Sequence, residues 1–390
     1  MKFKGYIREN GQVGVRNYYL LIGVCDALDG ILDNISKEFK DVLTVTSEHG
    51  CPAAGNEQVI NNLAGLADNP NIIGVIIVGL GCEGVKPEMV KKEMTVKKPV
   101  KIIKVTEIGG TIKTIKKGRE IISNMKKKQK IKRELIDVNR ITIGVKCGGS
   151  DTTSGISGNI CAGNAVDRLV DKGGTAIFTE PIECIGGEEN LIERAINKKV
   201  AKDIKNTILA EQKRWSIPNV DIEFMCFGNV NGGLSTIEEK SLGAIHKSGT
   251  KPIQGVLKYN NNILEKPSKK GVYLQDGTML FSHCITHLAA AGCQILLFTT
   301  GIGATVESQI MPTIRVCSNS KAYNNLKDDM DVNAGKFIDG ENSVEEIGEE
   351  IFNKIISVAE GEKTKLEGIG YSGFSIYKKD PRLEYYLNKY

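Results

Sequence analysis

The chain has 390 residues, 41% of them hydrophobic and 25% charged, with a net charge of +5 and ten cysteines. This composition is ordinary for a soluble globular protein, and the length exceeds one comfortable hydrophobic core, so two or three domains are expected. No apolar run reaches the roughly 20 residues of a membrane span and no signal-peptide core is present, which argues against a membrane or secreted protein and favours the cytoplasm.

The first third of the chain alternates strand-like and helix-like segments. Strands are predicted over 18–24, 42–47, 72–81 and 98–110, and helices over 26–39, 57–69 and 111–128. Continuously apolar strands such as IIGVIIVGLG are typical of a parallel sheet covered by helices on both faces. The lysine-rich run KKKQKIKR (126–133) is interpreted as a solvated helix end or linker. Nucleic-acid binding is the alternative, but no aromatic or arginine pattern accompanies the lysines.

A second alternation follows this run. Strands are predicted over 140–145, 175–181, 294–301 and 313–319, and helices over 162–174, 189–215 and 343–362. Ser343 is the expected cap of the last helix, with Glu346 at the capping-box position. The sequence therefore predicts an α/β fold with two parallel, doubly wound domains, residues 1–135 and 136–390.

Four cysteines come directly after predicted strands, namely Cys25, Cys51, Cys82 and Cys147. In open parallel sheets, ligands bind outside the carboxyl ends of the strands, so these thiols are expected to face a shared crevice. Thiolates there could hold iron, zinc or an iron–sulfur cluster. The alternative is that each cysteine is a small apolar filler, because no CxxC spacing exists.

Polar residues gather at the same strand ends, and they are His49, Glu83, Ser150, Asp151, Glu180, Glu183, Thr299 and Thr300. His283 and His287, four residues apart, would share one helix face, which suits either a metal or a polar packing surface. The glycine-rich loops GLGCEG, CGGSD, NVNGGLS and TTGIG suggest backbone amides close to an anion. None completes a dinucleotide fingerprint or a Walker motif, so no nucleotide cofactor is expected.

An ordered series of motifs spans nearly the whole chain. It includes GYIRENGQVGVRNYYLLI, HGC, NPNIIGVIIVGLGCE, ITIGVKCGGSD, SGISGN, GGTAIFTEP, GGLSTIEEKSLGAIHKSGT, ILLFTTGIG, DDMDVNAG and VAEGEKTKLEGIGY. With these motifs the chain resembles the large catalytic part of the altronate/galactarate dehydratase family, which also contains the large subunit of sulfolactate sulfo-lyase. The resemblance implies a lyase that removes water, or sulfite, from the β-carbon of a 2-hydroxy acid.

The resemblance also implies cofactors and partners. Family members depend on iron, as Fe2+ or an iron–sulfur cluster, or on another divalent metal such as Mn2+. In many of them a small SAF-type domain completes the active site. This chain begins directly at the GYIRENGQVGVRN motif, so a separate small SAF-type subunit is expected. A homo-oligomer is expected as well, without nucleic-acid or membrane partners.

Site roles follow from this resemblance and from the chemistry of elimination, which needs a base, an acid and a cation that stabilises the enolate. The expected metal ligands are Cys51, Cys82, Cys147 and Glu83. The expected catalytic residues are His49, Lys146, Asp151 and Glu180. The expected substrate-binding residues are Arg16, Asn17, Ser150, Asn229, Thr299 and Thr300. Which carboxylate is the base and which is a ligand stays open.

The sequence departs from the family pattern around the substrate. The segment EFMCFGNVNGGLS (223–235) is apolar where sugar-acid members have polar turn residues, Val230 replaces a basic residue, and Ile302 replaces an arginine. A pocket with fewer donors suits a less hydroxylated substrate. The leading hypothesis is a metal-dependent hydro-lyase for a 2-hydroxy sugar acid. The alternatives are a sulfolactate-type carbon–sulfur lyase and a non-catalytic ligand-binding subunit.

Overall fold

The computed structural model describes residues 1–51, 56–129, 131–216, 225–260, 263–278, 280–369 and 373–376. Lys130 of the lysine-rich run and Phe224 of the apolar segment 223–235 lie outside these ranges. None of the helices in the described ranges is long and apolar enough to cross a membrane.

The described strands, in chain order, are β1 (Lys2–Ile7), β2 (Val13–Gly14), β3 (Tyr18–Gly23), β4 (Val42–Thr46), β5 (Ile72–Gly79), β6 (Val100–Lys104), β7 (Glu134–Asp137), β8 (Thr142–Cys147), β9 (Thr175–Phe178), β10 (Ile253–Leu257), β11 (Tyr259–Asn260), β12 (Ile263–Leu264), β13 (Gly271–Gln275), β14 (Ile295–Thr300), β15 (Thr313–Cys317) and β16 (Val332–Asn333).

The described α-helices are α1 (Asp29–Ser36), α2 (Glu57–Asp68), α3 (Pro87–Glu93), α4 (Val105–Ile108), α5 (Thr111–Lys128), α6 (Asn159–Asp171), α7 (Glu188–Ile192), α8 (Lys198–Trp215), α9 (Phe227–Asn231), α10 (Ile237–Ala244), α11 (Phe281–Ala290), α12 (Ser320–Asn325) and α13 (Val344–Ala359). A π-helical turn, Ser154–Gly158, leads into α6, and short 3-10 turns cover Asp26–Leu28, Val138–Arg140, Pro181–Cys184, Ile245–Ser248 and Ala334–Phe337.

Two parallel sheets form the body of the molecule, which confirms the predicted α/β class. The first has the order β4-β3-β5-β6, and the second has the order β10-β13-β9-β8-β14-β15-β16. Every residue of β5 and β14 is buried, as expected for strands covered on both faces. Val145, near the end of β8, pairs with Phe178 of β9 on one side and Leu297 of β14 on the other.

The order of the larger sheet reverses at β8. The chain passes from β8 to β9 in one direction, and β14 later returns to the other side of β8. In doubly wound sheets, such a switch point opens a crevice at the carboxyl ends of the two strands, where ligands bind. The segments after Cys147 and Thr300 therefore face the same crevice.

A third, antiparallel sheet has the order β2-β1-β7, with β1 and β2 before the smaller parallel sheet in sequence and β7 after it. Buried asparagines join the two halves of the chain. The amide nitrogen of Asn69 donates to the carbonyls of Ala289 and Cys293, at 2.7 and 2.9 Å. Helices α2 and α11 approach closely, because a β-carbon at Gly65 would lie 2.8 Å from that of Ala290. The two halves thus pack as one hydrogen-bonded unit.

Most predicted elements are confirmed, with two corrections. The strand predicted over 98–110 ends at Lys104, and α4 follows because Val105 and Ile108, three residues apart, both pack on the core. The single helical region predicted over 189–215 breaks before α8, where the side chain of Asn197 accepts a hydrogen bond from the amide of Val200 at 3.0 Å. The predicted capping box at Ser343 is confirmed.

Candidate active site

A thiol and two carboxylates meet at the switch point. Cys147 ends β8, and Glu180 and Glu183 follow β9. Among the described residues, they form one group of His, Cys, Asp or Glu side chains with ligand atoms all within 4.8 Å of one another. The Cys147 thiol donates to Glu183 Oε2 at 2.9 Å. All three residues are buried, so their charges act in a medium of low dielectric constant.

Three lysines compensate the carboxylates. Lys146 Nζ donates to Glu180 Oε1 at 2.6 Å, and Lys247 Nζ contacts both Cys147 Sγ, at 3.2 Å, and Glu183 Oε2, at 3.1 Å. Lys240 Nζ lies 3.2 Å from Glu183 Oε1. Lys146 and Lys247 are almost fully buried, and ammonium groups at such depth are tolerated only when they are paired. We call Lys146, Cys147, Glu180, Glu183, Lys240 and Lys247 the buried charge cluster.

The surroundings in the cluster shift the pKa values of Glu180 and Glu183 in opposite directions. Burial and the neighbouring Glu183 raise the pKa of Glu180 above its ordinary value, against the opposing charge of Lys146. Burial would raise the pKa of Glu183 as well, but the ammonium groups of Lys240 and Lys247 bring it below the ordinary range. Burial and Glu183 raise the pKa of the Cys147 thiol to about 12. Carboxylates with pKa values set apart by their surroundings are typical of acid–base sites.

Glu180 stands out in two further ways. Its φ of 72° is the one positive φ at a non-glycine residue in the part of the chain that the structure describes. A glutamate in this left-handed region is strained, and such strain concentrates at functional sites. Its second carboxylate oxygen, Oε2, is buried without a hydrogen-bond partner among the described residues. A buried charged oxygen without a partner is costly, so it points to a proton or ligand that completes it.

The donor set fits a metal ion. One thiolate and two carboxylates could hold a divalent transition metal, and the incomplete contacts of Glu180 Oε2 leave room for one more bond. The thiol must lose its proton to become a ligand, so metal binding would release a proton here. With a single thiol, the group fits one metal ion better than an iron–sulfur cluster, which is held mainly by thiolates.

A cavity of 240 Å³ lies beside this cluster, and Lys240 is the cluster residue that lines it. Lys240, Ser150, Asp151 and Asn159 line it, together with the apolar residues Ile156, Leu234 and Leu242. Lys240 belongs to both the cavity wall and the cluster, since its ammonium group bonds Glu183. A substrate in the cavity would therefore meet a cation and, directly behind it, the carboxylates.

Asp151 forms the start of the helix below the cavity. Its Oδ1 accepts hydrogen bonds from the amide and hydroxyl of Thr153, at 3.0 and 2.6 Å, and from the amide of Ser154 at 3.1 Å. Its Oδ2 accepts from Asn319 at 3.1 Å. A β-carbon at Gly301 would lie 1.9 Å from Oδ1, so only glycine fits there. These bonds give Asp151, predicted as catalytic, the position of a helix cap at the cavity wall.

The predicted substrate-binding residues of the larger sheet shape the same crevice. Ser150 lines the cavity, and its carbonyl accepts from the amide of Asn229 at 2.9 Å. Thr299 donates its hydroxyl proton to Asn159 at 2.6 Å, and the Thr300 hydroxyl accepts the amide of Gly303 at 3.0 Å. These residues hold the loops after β8 and β14 in place. Asn159, which accepts the bond from Thr299, itself lines the cavity.

The predicted residues of the smaller sheet lie outside the buried charge cluster. Cys51 and Cys82 are exposed, and neither belongs to the group of ligand atoms at Cys147. Glu83 uses Oε2 to accept the amides of Leu80, Gly81 and Cys82, at 3.0, 2.7 and 3.1 Å. The structure therefore does not bring the four expected metal ligands together. Glu83 instead orders the loop that follows β5, since its carboxylate accepts the amides of residues 80–82.

His49 and the two histidines of α11 lie beside this smaller sheet. His49 Nε2 is 2.9 Å from the carbonyl oxygen of Ile376, and His283 Nε2 is 2.9 Å from the Ser375 hydroxyl. His283 and His287 occupy α11, as predicted, and His287 is buried. The described histidines join no metal-ligating group, which favours the packing interpretation of the pair.

Arg16 and Asn17 are held by the protein itself and do not line the cavity. The guanidinium of Arg16 pairs with both carboxylate oxygens of Glu367, at 2.6 and 2.7 Å, and donates to the carbonyl of Val358 at 2.7 Å. Asn17 Oδ1 accepts from Arg8 at 2.5 Å. With its donors occupied, Arg16 serves as a clamp between the N-terminal motif and the C-terminal tail.

Replacement of Glu367 by glutamine tests this clamp, and we expect it to lower the free energy of unfolding by about 3 kcal/mol because a buried guanidinium loses its charged partner. Burial alone would raise the pKa of Glu367, but its bonds to Arg16 hold that pKa below the ordinary value. The stabilisation is thus present above about pH 4.3 and lost as the pH falls through the lowered pKa. Urea denaturation at pH 7 and pH 3.5 measures both effects.

Glu341→Gln, a change at an exposed glutamate, is the matched control and should leave the unfolding curve unchanged. If Glu367→Gln unfolds at the same urea concentration as the unmodified protein at pH 7, the clamp contributes nothing and this interpretation is wrong.

The sequence alone did not indicate Lys240 and Lys247, two of the lysines that organise the site. Lys240 and Lys247 lie seven residues apart within GGLSTIEEKSLGAIHKSGT, on α10 and the turn that follows it. Lysine is usually exposed, and Lys240 directly follows Glu238 and Glu239, so the local sequence is that of an ordinary solvated helix face and did not indicate burial. Glu183 stood among the polar residues at the strand ends, but nothing in the sequence separated it from Glu180.

Known proteins resemble the chain over both halves. A family model described as "D-galactarate/Altronate dehydratase, C-terminal" matches residues 138–382, and one described as "D-galactarate dehydratase/Altronate hydrolase, second domain" matches residues 5–130. The chain is 32% identical to the altronate dehydratase of Bacillus subtilis, over 96% of this chain and 77% of that protein. It is 29% identical to the (2R)-sulfolactate sulfo-lyase subunit beta of Chromohalobacter salexigens, over 95% and 96% of the two chains. It is 28% identical to the galactarate dehydratase (L-threo-forming) of Escherichia coli, over 93% and 73%.

Proposed function

Because the chain belongs to the D-galactarate/altronate dehydratase family, we propose that it is a hydro-lyase that removes water from a 2-hydroxy sugar acid. The observation that carries the proposal is the buried charge cluster at the switch point, with a cavity beside it. Carboxylates, ammonium groups and a metal-binding thiol are the groups that an elimination next to a carboxylate requires.

We assign the substrate carboxylate to the inner wall of the cavity, against Lys240. The proton on the carbon next to a carboxylate is very weakly acidic, because its removal places negative charge on the carboxylate oxygens. Lys240, at the cavity wall, is positioned to stabilise that charge, and Lys247 lies behind it on the other oxygen of Glu183. Preorganised ammonium groups in a buried site stabilise such charge more than water does.

We assign Glu180 as the group that accepts this proton. Its Oε1 is fixed by Lys146, and its Oε2 is the oxygen that lacks a partner among the described residues. A base must have a lone pair free and must be held in one orientation, and Glu180 meets both conditions. The hydroxyl on the neighbouring carbon leaves as hydroxide, and the proton taken up by Glu180 accounts for the rest of the water that is lost.

A divalent metal fits beside these groups, and we propose Fe2+ or Mn2+. Cys147 and Glu183 would hold it, with the Glu180 carboxylate within 4.8 Å of both. When bound, it would supply a Lewis acid for the carboxylate and hydroxyl oxygens of the substrate. With Glu180 assigned as the base, Cys147 and Glu183 are the two protein ligands of the three grouped residues, so coordination positions stay open for the substrate.

Replacement of Lys240 by glutamine tests the placement of the substrate. Loss of one charge-assisted hydrogen bond to the substrate carboxylate should raise KM about 10- to 100-fold, with a smaller change in kcat. Steady-state kinetics with the best substrate measures this, and Lys205→Gln, at an exposed lysine of α8, is the control. An unchanged KM in Lys240→Gln would place the substrate carboxylate elsewhere.

We propose a small SAF-type subunit as the partner that closes the cavity. Two apolar residues that line it are unusually exposed, Ile156 at 55% and Leu242 at 45%. Phe227 of α9, the helix whose Asn229 bonds Ser150 of the lining, is 88% exposed. Exposed apolar residues beside a site are typical of a surface that another chain covers. The chain also aligns over nearly the full length of a protein named as a subunit, but over about three quarters of the dehydratases.

The reaction itself is tested on a panel of hexonates, hexarates and smaller 2-hydroxy acids, with the metal-loaded chain and its small partner under anaerobic conditions. Formation of a 2-keto acid from at least one sugar acid is expected. Sulfite release from sulfolactate without any keto acid from sugar acids would favour the carbon–sulfur lyase. Inactivity with every acid, together with saturable binding of one, would favour the ligand-binding subunit.

A further inference from the structure

A second cavity lies at the opposite end of the larger sheet from the active site. Its volume is 370 Å³, and its floor includes Thr142 and Thr175, the first residues of β8 and β9. The active site lies beyond the last residues of the same strands. The two cavities are therefore separated by the length of the sheet, and no residue of the buried charge cluster lines the second one.

Cations dominate the lining of this cavity, which we call the basic cavity. The charged side chains that line it are Arg140, Lys266, Lys269, Lys270 and Asp68. Four cations therefore face a single carboxylate. An excess of three positive charges around one concave surface attracts anions and is unfavourable while it stays unneutralised.

The single carboxylate is already satisfied by its own neighbours. Asp68 accepts the amide and the hydroxyl of Thr95, at 2.8 and 2.6 Å, and Lys266 is 3.6 Å from it. Arg140, Lys269 and Lys270 form no ion pair with any carboxylate of the described residues. Arg140 and Lys270 line the same cavity, and burial together with the charge of Arg140 lowers the pKa of Lys270.

The backbone that carries the lysines, and the guanidinium of Arg140, are held in place before any ligand arrives. The Tyr273 hydroxyl accepts the amide of Lys269 at 3.0 Å and donates to its carbonyl at 3.2 Å, which fixes the loop that carries the lysines. The guanidinium of Arg140 donates to the carbonyl of Gly11. A site whose charges are oriented in advance loses less entropy on binding than a flexible one.

We propose that the basic cavity binds a small multivalent oxyanion, of the phosphate or polycarboxylate class. Arginine and lysine are the side chains that recognise phosphate and carboxylate, and the threonine hydroxyls of the floor supply neutral donors. A volume of 370 Å³ accommodates an anion of the size of citrate or a sugar phosphate.

Because the basic cavity lies where the two halves of the chain meet, a bound anion would stabilise their contact. Asp68 and Pro70 belong to the first half of the chain, and the cationic residues belong to the second. An anion bound by Arg140 and the loop of lysines would neutralise the repulsion at this junction. It would stabilise the folded chain in proportion to its concentration, since it binds the folded state alone.

Binding is tested on the full chain by isothermal titration calorimetry with inorganic phosphate and, separately, with citrate, at an ionic strength matched by sodium chloride. We expect saturable binding of at least one of them, and a rise in the melting temperature with its concentration. The double variant Lys269→Gln/Lys270→Gln should bind that anion at least 10-fold more weakly. The control is Lys113→Gln/Lys116→Gln, at two exposed lysines of α5, which should bind as the unmodified protein does.

The two anions separate the chemical classes. Binding of phosphate indicates a phosphorylated ligand, and binding of citrate alone indicates a polycarboxylate. Two outcomes would overturn the proposal. One is the absence of saturable binding of either anion, and the other is equal binding by the unmodified protein and the Lys269→Gln/Lys270→Gln variant.

Discussion

Replacement of Glu180 by glutamine is expected to lower kcat about 1,000-fold while the bound metal stays in place. The amide is isosteric with the carboxylate and still offers an oxygen to Lys146, whose bond to Glu180 Oε1 measures 2.6 Å. It cannot accept a proton, so the group that we assign as the base is lost. Metal content stays because Cys147 and Glu183 are the proposed ligands. Steady-state kinetics and metal analysis of the same preparation measure the two effects together.

Glu189→Gln, at an exposed glutamate at the start of α7, is the control and should keep full activity. Glu180→Asp provides a second variant that preserves the buried charge opposite Lys146 and withdraws the carboxylate by one carbon. It should fold normally and still lose most of its activity. Activity near that of the unmodified protein in Glu180→Gln would remove Glu180 from the mechanism, and loss of metal in that variant would make it a ligand.

Replacement of Cys147 by alanine is expected to remove the metal and, with it, nearly all activity. The thiol is the one sulfur ligand in the group. It is buried at the carboxyl end of β8, with its Sγ 2.9 Å from Oε2 of Glu183. Without it, a carboxylate pair compensated by lysines has little affinity for a divalent ion. The measurement is metal content of anaerobically purified protein by mass spectrometry, with acid-labile sulfide determined in parallel.

The control for this variant is Cys161→Ala, because Cys161 is also buried but belongs to α6 and to the hydrophobic core, and is not part of the cluster. It should retain metal. Sulfide in the unmodified protein would indicate an iron–sulfur cluster instead of a single ion. Full metal content in Cys147→Ala, with loss in Cys51→Ala or Cys82→Ala, would move the metal site to the smaller sheet.

Much of the fold could be predicted because the strands are continuously apolar and the helices carry clear periods. The run 72–81 predicted β5, which is buried throughout, and Ser343 with Glu346 predicted the capped start of α13. Several strands escaped prediction, among them β1 and β13. In β1, exposed lysines alternate with buried residues on one face, a pattern too brief to separate from a loop.

The candidate site could be predicted only in part, because the ends of strands are visible in a sequence and contacts between distant segments are not. Lys146, Cys147 and Glu180 follow strands that the apolar runs identify, so the sequence alone indicated them. Lys247 reaches Cys147 from a hundred residues away, and no local pattern records that approach. The same limit explains why Arg16 resembled a substrate ligand until its bond to Glu367 was seen.

The cysteines that follow predicted strands do not all face one crevice, as the sequence had suggested. Strand ends of one sheet do meet, but Cys51 and Cys82 follow strands of the smaller sheet, and Cys147 follows a strand of the larger one. Nothing in the sequence states which strands share a sheet. The metal-binding proposal therefore rests on Cys147 and Glu183, which the larger sheet brings together beside the proposed base Glu180.

The central claim is that the buried charge cluster eliminates water from a sugar acid, and proton NMR of the reaction in deuterium oxide tests it most directly. The metal-loaded chain, with its small partner, is incubated with each acid of the panel. We expect the unmodified protein to form a 2-keto acid that carries deuterium at the carbon that lost its hydroxyl. With Glu180→Gln we expect no such product. Sugar acids that remain unchanged with the fully assembled protein, or a product formed equally well by Glu180→Gln, would contradict it.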